Sequence, residues 1–93
     1  GAISGASFSF IRSLTTWFEN NGIDPDFSHE LIVQTLKANL EILSKDDKTL
    51  DEIISGVTTP GGITEQLNKE LNRADAITAW QKGLDDLIKK NNQ

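Results

Sequence analysis

The residues best suited to chemistry lie in one short stretch, V-T-T-P-G-G-I-T-E-Q at positions 57–66. Two adjacent glycines after a proline leave bare backbone amides, and Thr64 and Glu65 suit the first turn of a new helix. Such a turn presents unpaired N–H groups and the positive end of a helix dipole, which favour a carboxylate or a phosphate. The stretch therefore predicts an anion-binding turn, with a simple connection between two helices as the alternative.

Composition argues against several other classes of site. The 93 residues include no Cys and one His, and they contain no nucleotide-binding or zinc-peptidase motif. His29 falls in the first turn of a predicted helix, where an exposed or capping role is favoured because no acid or nucleophile is near it in sequence. The sequence therefore predicts no metal site.

Charge and hydropathy bear on the partners and the compartment. Fourteen acidic and nine basic residues give a net charge of -5, which argues against charge-driven binding to nucleic acid or to an anionic membrane. The chain has no apolar run of roughly 18 residues and no signal-peptide pattern, and the lack of Cys is consistent with the cytoplasm. A cytoplasmic location is therefore predicted.

The elements that must position the turn are all predicted to be helices, because apolar residues recur at helical spacing and no strand-like alternation is present. Local signals mark their ends: Gly22 as a left-handed cap, Asp24 and Asp75 as N-caps, and a capping box from Thr49 to Glu52. The predicted helices run from about Ala6 to Asn21, Pro25 to Ser44, Thr49 to Gly56, Ile63 to Asn72 and Ala76 to Lys90.

The second predicted helix is apolar around most of its circumference, from Phe27 to Leu43. Such a helix must be surrounded, yet a single domain of this length buries only about 60 to 65 per cent of its unfolded surface. We therefore predict that a second subunit supplies the missing surface in an intertwined two-fold dimer. Trp80, in the last helix, is predicted to anchor a packed interface and not to serve as a ligand platform.

Taken in order, these features resemble the C-terminal dimerisation domain of pyrroline-5-carboxylate reductase over essentially all 93 residues. The segment from Val57 to Thr64 is similar to the family's V-[TS]-S-P-G-G-x-T, and Ile3-Ser4-Gly5 is similar to the start of its L-S-G-S-G-P-A-Y. The chain departs from the second motif after Gly5, where it has A-S-F-S-F and lacks the second Gly, the Pro and the Tyr.

The resemblance implies an all-α fold of about five helices in an intertwined, domain-swapped dimer, like the C-terminal domain of 6-phosphogluconate-dehydrogenase-type oxidoreductases. Residues 1–93 would form the dimerisation and substrate domain, and an N-terminal Rossmann domain absent from this chain would bind NADP or NAD. The implied reaction is hydride transfer to the C=N bond of 1-pyrroline-5-carboxylate, which gives L-proline. The fragment alone would be inactive, and its dimers could assemble into a higher oligomer.

The same resemblance implies the site residues. Backbone amides of the turn would hold the substrate carboxylate, and Thr64, the candidate catalytic residue, would lie near the ring nitrogen and the nicotinamide. A helix-starting role for Thr64 is the alternative. Glu65 would place a negative charge just behind the bound anion, where it would not strengthen the binding of a carboxylate. The implied substrate-binding residues are Ser4, Gly5, Thr59, Pro60, Gly61, Gly62, Ile63 and Thr64.

Three alternatives to this function stay open at the sequence level. The departures after Gly5 and at Glu65 allow a divergent paralogue with another imine or amino-acid-derived substrate. A helical dimerisation module that has lost its chemistry is the second. A β-hydroxyacid dehydrogenase domain is the third and is disfavoured, because those enzymes depend on a Lys in their helical domain and none here has a comparable apolar setting.

Overall fold

The computed structural model describes residues 1–45 and 47–91 and confirms the all-α prediction. Within these residues there are five helices and no strand. None of these helices combines the length and apolarity that a membrane span requires. The helices are α1 (Ala2–Asn20), α2 (Pro25–Lys45), α3 (Leu50–Val57), α4 (Ile63–Arg73) and α5 (Ala76–Asn91).

The chain forms two compact units, and the first, Gly1–Asp47, contains α1 and α2 packed against each other. The junction between these helices follows the predicted signals. Gly22 has φ 77° and donates its N–H to the Glu19 carbonyl at 3.0 Å, while the Asp24 carboxylate accepts the Phe27 N–H at 3.0 Å. The left-handed cap of α1 and the N-cap of α2 are therefore confirmed.

The start of α1 differs from the prediction by four residues. Residues 2–5 are already helical, and the Gly5 N–H donates to the Gly1 carbonyl at 3.0 Å. The serines of this segment also fit a helix, since the Ser7 hydroxyl donates back to the Ser4 carbonyl at 2.7 Å. Residues 2–5, which the prediction left outside the first helix, form the first turn of α1.

The second unit, Lys48–Gln93, contains α3, α4 and α5, and α4 packs against α5. The capping box at the start of α3 is confirmed, because Thr49 accepts the Glu52 N–H through its hydroxyl and Glu52 accepts the Thr49 N–H through its carboxylate. Asp75 lies at the predicted N-cap position of α5 and accepts the Ala79 N–H at 2.9 Å through its carbonyl. Its φ of 55° is left-handed, whereas an N-cap residue is usually extended.

The described residues bury little apolar surface. Ile32 of α2, 4% exposed, is the buried hydrophobic residue, and the neighbouring Ser28 is fully buried with its hydroxyl donated to the Asp24 carbonyl. Large apolar side chains of α2 itself remain exposed to solvent, including Phe27, which is 60% exposed, and Leu40, which is 65% exposed. Such extensive exposure of large apolar side chains is unusual for a protein that acts as a monomer.

Candidate functional site

The turn ahead of α4 is built by Thr59, Pro60, Gly61 and Gly62. The Gly62 N–H donates to the Thr59 carbonyl at 2.8 Å, and Gly61 has φ 75°, as expected for the third residue of a type II turn with proline second. A Cβ at Gly62 would lie 3.0 Å from the Thr59 carbonyl oxygen. The conformation therefore favours glycine at position 61, and at position 62 a side chain would crowd the Thr59 carbonyl oxygen.

Helix α4 begins directly after this turn. Gly62 is its N-cap, with extended backbone (φ -85°, ψ 179°) and no side-chain capping bond. The helical ladder starts with the Gln66 N–H, which donates to the Gly62 carbonyl at 3.1 Å. The amides of Ile63, Thr64 and Glu65 precede that ladder and carry the positive end of the helix dipole.

The prediction that both glycine amides are bare is wrong. The Gly62 amide closes the turn on Thr59, and the Gly61 amide donates to the Glu65 carboxylate at 3.2 Å. Glu65 can reach this amide because it is the third residue of α4, so its side chain extends back over the helix start. The amides in position to meet an anion are consequently those of the first turn of α4.

Glu65 has a second partner, Lys69, one helical turn further along α4. The Lys69 Nζ lies 3.4 Å from the Glu65 Oε1, and both residues line a shallow depression with Gly61, Gly62 and Gln66. The Gly61 hydrogen bond, and then the charge of Lys69, hold the pKa of Glu65 below its ordinary value of 4.5. Lys69 was not among the residues predicted for the site, although its i, i+4 spacing from Glu65 is a signal visible in the sequence.

The two candidate residues near the N-terminus lie in the other unit. Ser4 and Gly5 belong to α1, where their carbonyls accept the hydroxyls of Ser7 and Ser9. The grouping of these two residues with the turn stays a prediction. Among the predicted site residues, the structure brings together Thr59, Pro60, Gly61, Gly62, Ile63 and Thr64.

Thr64 is exposed in the first turn of α4, and its neighbour Ile63 is 86% exposed. An exposed Thr64 hydroxyl is accessible to a ligand at this end of the helix, and its catalytic role stays a prediction. Residues 1–45 and 47–91 contain no group of three or more His, Cys, Asp or Glu side chains that could hold a metal ion.

A family model described as pyrroline-5-carboxylate reductase dimerisation matches residues 1–93, the whole chain. The chain belongs to this family. Its resemblance to the reductase's dimerisation domain is thereby confirmed, and the five helices and the turn at 59–62 are those of a member of the family.

One solved structure similar to this family member is that of a Plasmodium falciparum pyrroline carboxylate reductase with NADP bound. The two share 26% sequence identity and a TM-score of 0.82, over 88% of this chain and 32% of that one. The chain thus spans about a third of the length of the solved reductase. Comparison with curated proteins gives no significant match.

Proposed function

We propose that this chain is the dimerisation and substrate-binding domain of an NAD(P)H-dependent reductase that converts 1-pyrroline-5-carboxylate to L-proline in the cytoplasm, as a step of proline biosynthesis. The family match over all 93 residues is the observation that carries the proposal. The solved reductase with NADP bound adds support, because it is similar over 88% of this chain.

The cofactor would be held by a Rossmann domain outside this chain. A dinucleotide-binding loop follows a strand, and the described residues contain no strand, so they do not fit the cofactor's pyrophosphate. When bound, the nicotinamide supplies the hydride. The residues described here would bind and orient the substrate opposite it.

The substrate carboxylate would bind at the start of α4, where the amides of Ile63, Thr64 and Glu65 precede the helical ladder. The type II turn holds these amides in a fixed direction, because Gly62 donates to Thr59 and Gly61 adopts the left-handed conformation. The Thr64 hydroxyl would hydrogen-bond the ring nitrogen of the imine. Ser4 and Gly5 are also proposed as substrate-binding residues.

The protein would act as a homodimer through this domain, with dimers able to associate further. A partner protomer would cover the exposed apolar side chains of α2 in an intertwined arrangement. A net charge of -5 supports the proposal that neither nucleic acid nor membrane is a partner.

The direct test is an assay of the full-length protein with 1-pyrroline-5-carboxylate and either NADPH or NADH. Turnover is expected with at least one cofactor, and a folded protein that turns over neither mixture would refute the proposed reaction. Thr64→Ala should lower kcat by about 100-fold, while Thr64→Ser should keep most of the activity because it retains the hydroxyl. Full activity in Thr64→Ala would remove Thr64 from the mechanism.

A second candidate is a reductase of another cyclic imine. It is favoured by the segment after Gly5, where Phe8 and Phe10 are exposed at 68% and 49% in place of the family's Pro-Ala-Tyr pattern. Assays with a panel of cyclic imino acids distinguish the two candidate functions. A higher kcat/KM for another cyclic imine than for 1-pyrroline-5-carboxylate would support the second candidate.

A further inference from the structure

We propose that the side chain of Glu65 competes with the substrate carboxylate for the start of α4. Until substrate binds, the Glu65 carboxylate accepts the hydrogen bond of the Gly61 amide. The inference rests on the proposed function, because it concerns the same turn. It adds a contact within the chain, between Glu65 and the Gly61 amide, that the substrate must displace. It also assigns Lys69 as the cation that pairs with each of the two carboxylates in turn.

The contact has the chemistry of the ligand that the turn is proposed to bind. A carboxylate oxygen, Oε1 of Glu65, accepts the Gly61 N–H at 3.2 Å, and the Lys69 Nζ lies 3.4 Å from the same oxygen. An amide and an ammonium group therefore already hold one carboxylate at the edge of the turn. A second carboxylate arriving at the neighbouring amides of α4 is repelled while Glu65 stays in place.

Two observations indicate that substrate can displace the Gly61–Glu65 hydrogen bond, because the turn does not depend on it. The turn is closed independently by the Gly62 N–H, which donates to the Thr59 carbonyl at the shorter distance of 2.8 Å. The bond to Glu65 is at the long end of the normal N–H···O range, and the side chains of Glu65 and Lys69 are 36% and 76% exposed. Glu65 can therefore leave without opening the turn.

Displacement also changes the partner of Lys69. Once Glu65 has moved, the Lys69 ammonium group lies beside the incoming carboxylate and can pair with it. Binding is then an exchange of one carboxylate for another beside the same ammonium group: the incoming carboxylate takes the amides at the start of α4, and Glu65 releases the Gly61 amide. Removing the charge of Glu65 should strengthen substrate binding, whereas removing the charge of Lys69 should weaken it.

The test uses the full-length protein and 1-pyrroline-5-carboxylate. In Glu65→Gln the KM should fall about threefold, the scale of one charge a few ångströms away in a solvated site, because the substitution removes the carboxylate charge and keeps the backbone amide. Glu70→Gln is the matched control, because Glu70 is on the same helix and pairs with Arg73 at 2.7 Å, so the same charge is lost away from the turn. A KM for Glu65→Gln that rises, or equals that of Glu70→Gln, would overturn the proposal.

A second readout does not depend on turnover. Hydrogen exchange at the Gly61 amide, followed by NMR, should accelerate in Glu65→Ala and stay at the wild-type rate in Glu70→Ala. L-proline, used as the carboxylate probe, should also shift the Gly61 resonance of the wild-type protein. An unchanged Gly61 exchange rate in Glu65→Ala refutes the inference by itself, whereas wild-type protein that never reduces the imine refutes the proposed function.

Discussion

Gly61 and Gly62 are adjacent, yet the turn depends on each of them in a different way. Gly61 has φ 75°, a conformation that a residue with a Cβ adopts at a cost of about 1 to 2 kcal/mol. At Gly62 the backbone is extended, and a side chain would instead crowd the Thr59 carbonyl oxygen, 3.0 Å from the position of a Cβ. Substitutions at the two positions should therefore destabilise the turn for different physical reasons.

The first prediction concerns Gly61. Gly61→Ala should lower the free energy of unfolding by about 1 to 2 kcal/mol, because the turn must then hold alanine in the left-handed conformation. Urea denaturation followed by circular dichroism measures the change. Gly83→Ala is the control, since Gly83 lies inside α5 with open space around it and should gain up to about 1 kcal/mol. Equal effects in the two variants would contradict the assigned turn.

Part of this site could be predicted from residue types alone. The Pro-Gly-Gly order indicated the turn and the start of α4, because proline and glycine restrict the backbone locally. The partners of the amides were missed, since a pattern of residue types does not show which carbonyl or carboxylate reaches a given N–H. Glu65 was recognised as a nearby negative charge, but the bond it accepts from Gly61 depends on the rotamer of its side chain.

At the scale of the elements, the ends of the helices were predictable wherever a side chain or a glycine marks them. Gly22, Asp24 and the pair Thr49 and Glu52 all have the roles that their residue types indicate. The start of α1 was missed because Gly5 and the serines favour loops in general, although here the serine hydroxyls bond to carbonyls within the helix. Helix α1 begins without a side-chain capping bond, so no capping residue marked its start in the sequence.

The second prediction concerns the cap of α2. Asp24→Ala removes the acceptor of the Phe27 N–H and should lower the free energy of unfolding by about 1 kcal/mol, as measured by urea denaturation. Asp24→Ser should recover most of that loss, because its hydroxyl can accept the same hydrogen bond. If Ser and Ala destabilise equally, Asp24 stabilises α2 through its charge at the helix dipole and not through the cap.

At the scale of the whole molecule, the most informative feature is how little apolar surface the described residues bury. The sequence predicted a second helix too apolar to stay uncovered, and α2 does leave Phe27, Leu40 and Ile42 exposed at 60%, 65% and 47%. Composition and periodicity could reveal this excess because they count apolar side chains around a helix. They could not show which surface covers each side chain, since that depends on contacts between distant residues.

The last prediction follows from that excess. If a partner protomer supplies much of the core, folding and dimerisation are coupled, and a tenfold rise in protein concentration should increase the apparent free energy of unfolding by about 1.4 kcal/mol. Urea denaturation at several concentrations, with sedimentation velocity for the mass, measures both properties. Leu40→Glu should abolish the dimer by placing a charge in the covered surface, whereas Leu40→Met preserves volume and apolarity and should keep it. A folded wild-type monomer whose unfolding midpoint is independent of concentration would show that the exposed side chains of α2 have no partner protomer to cover them.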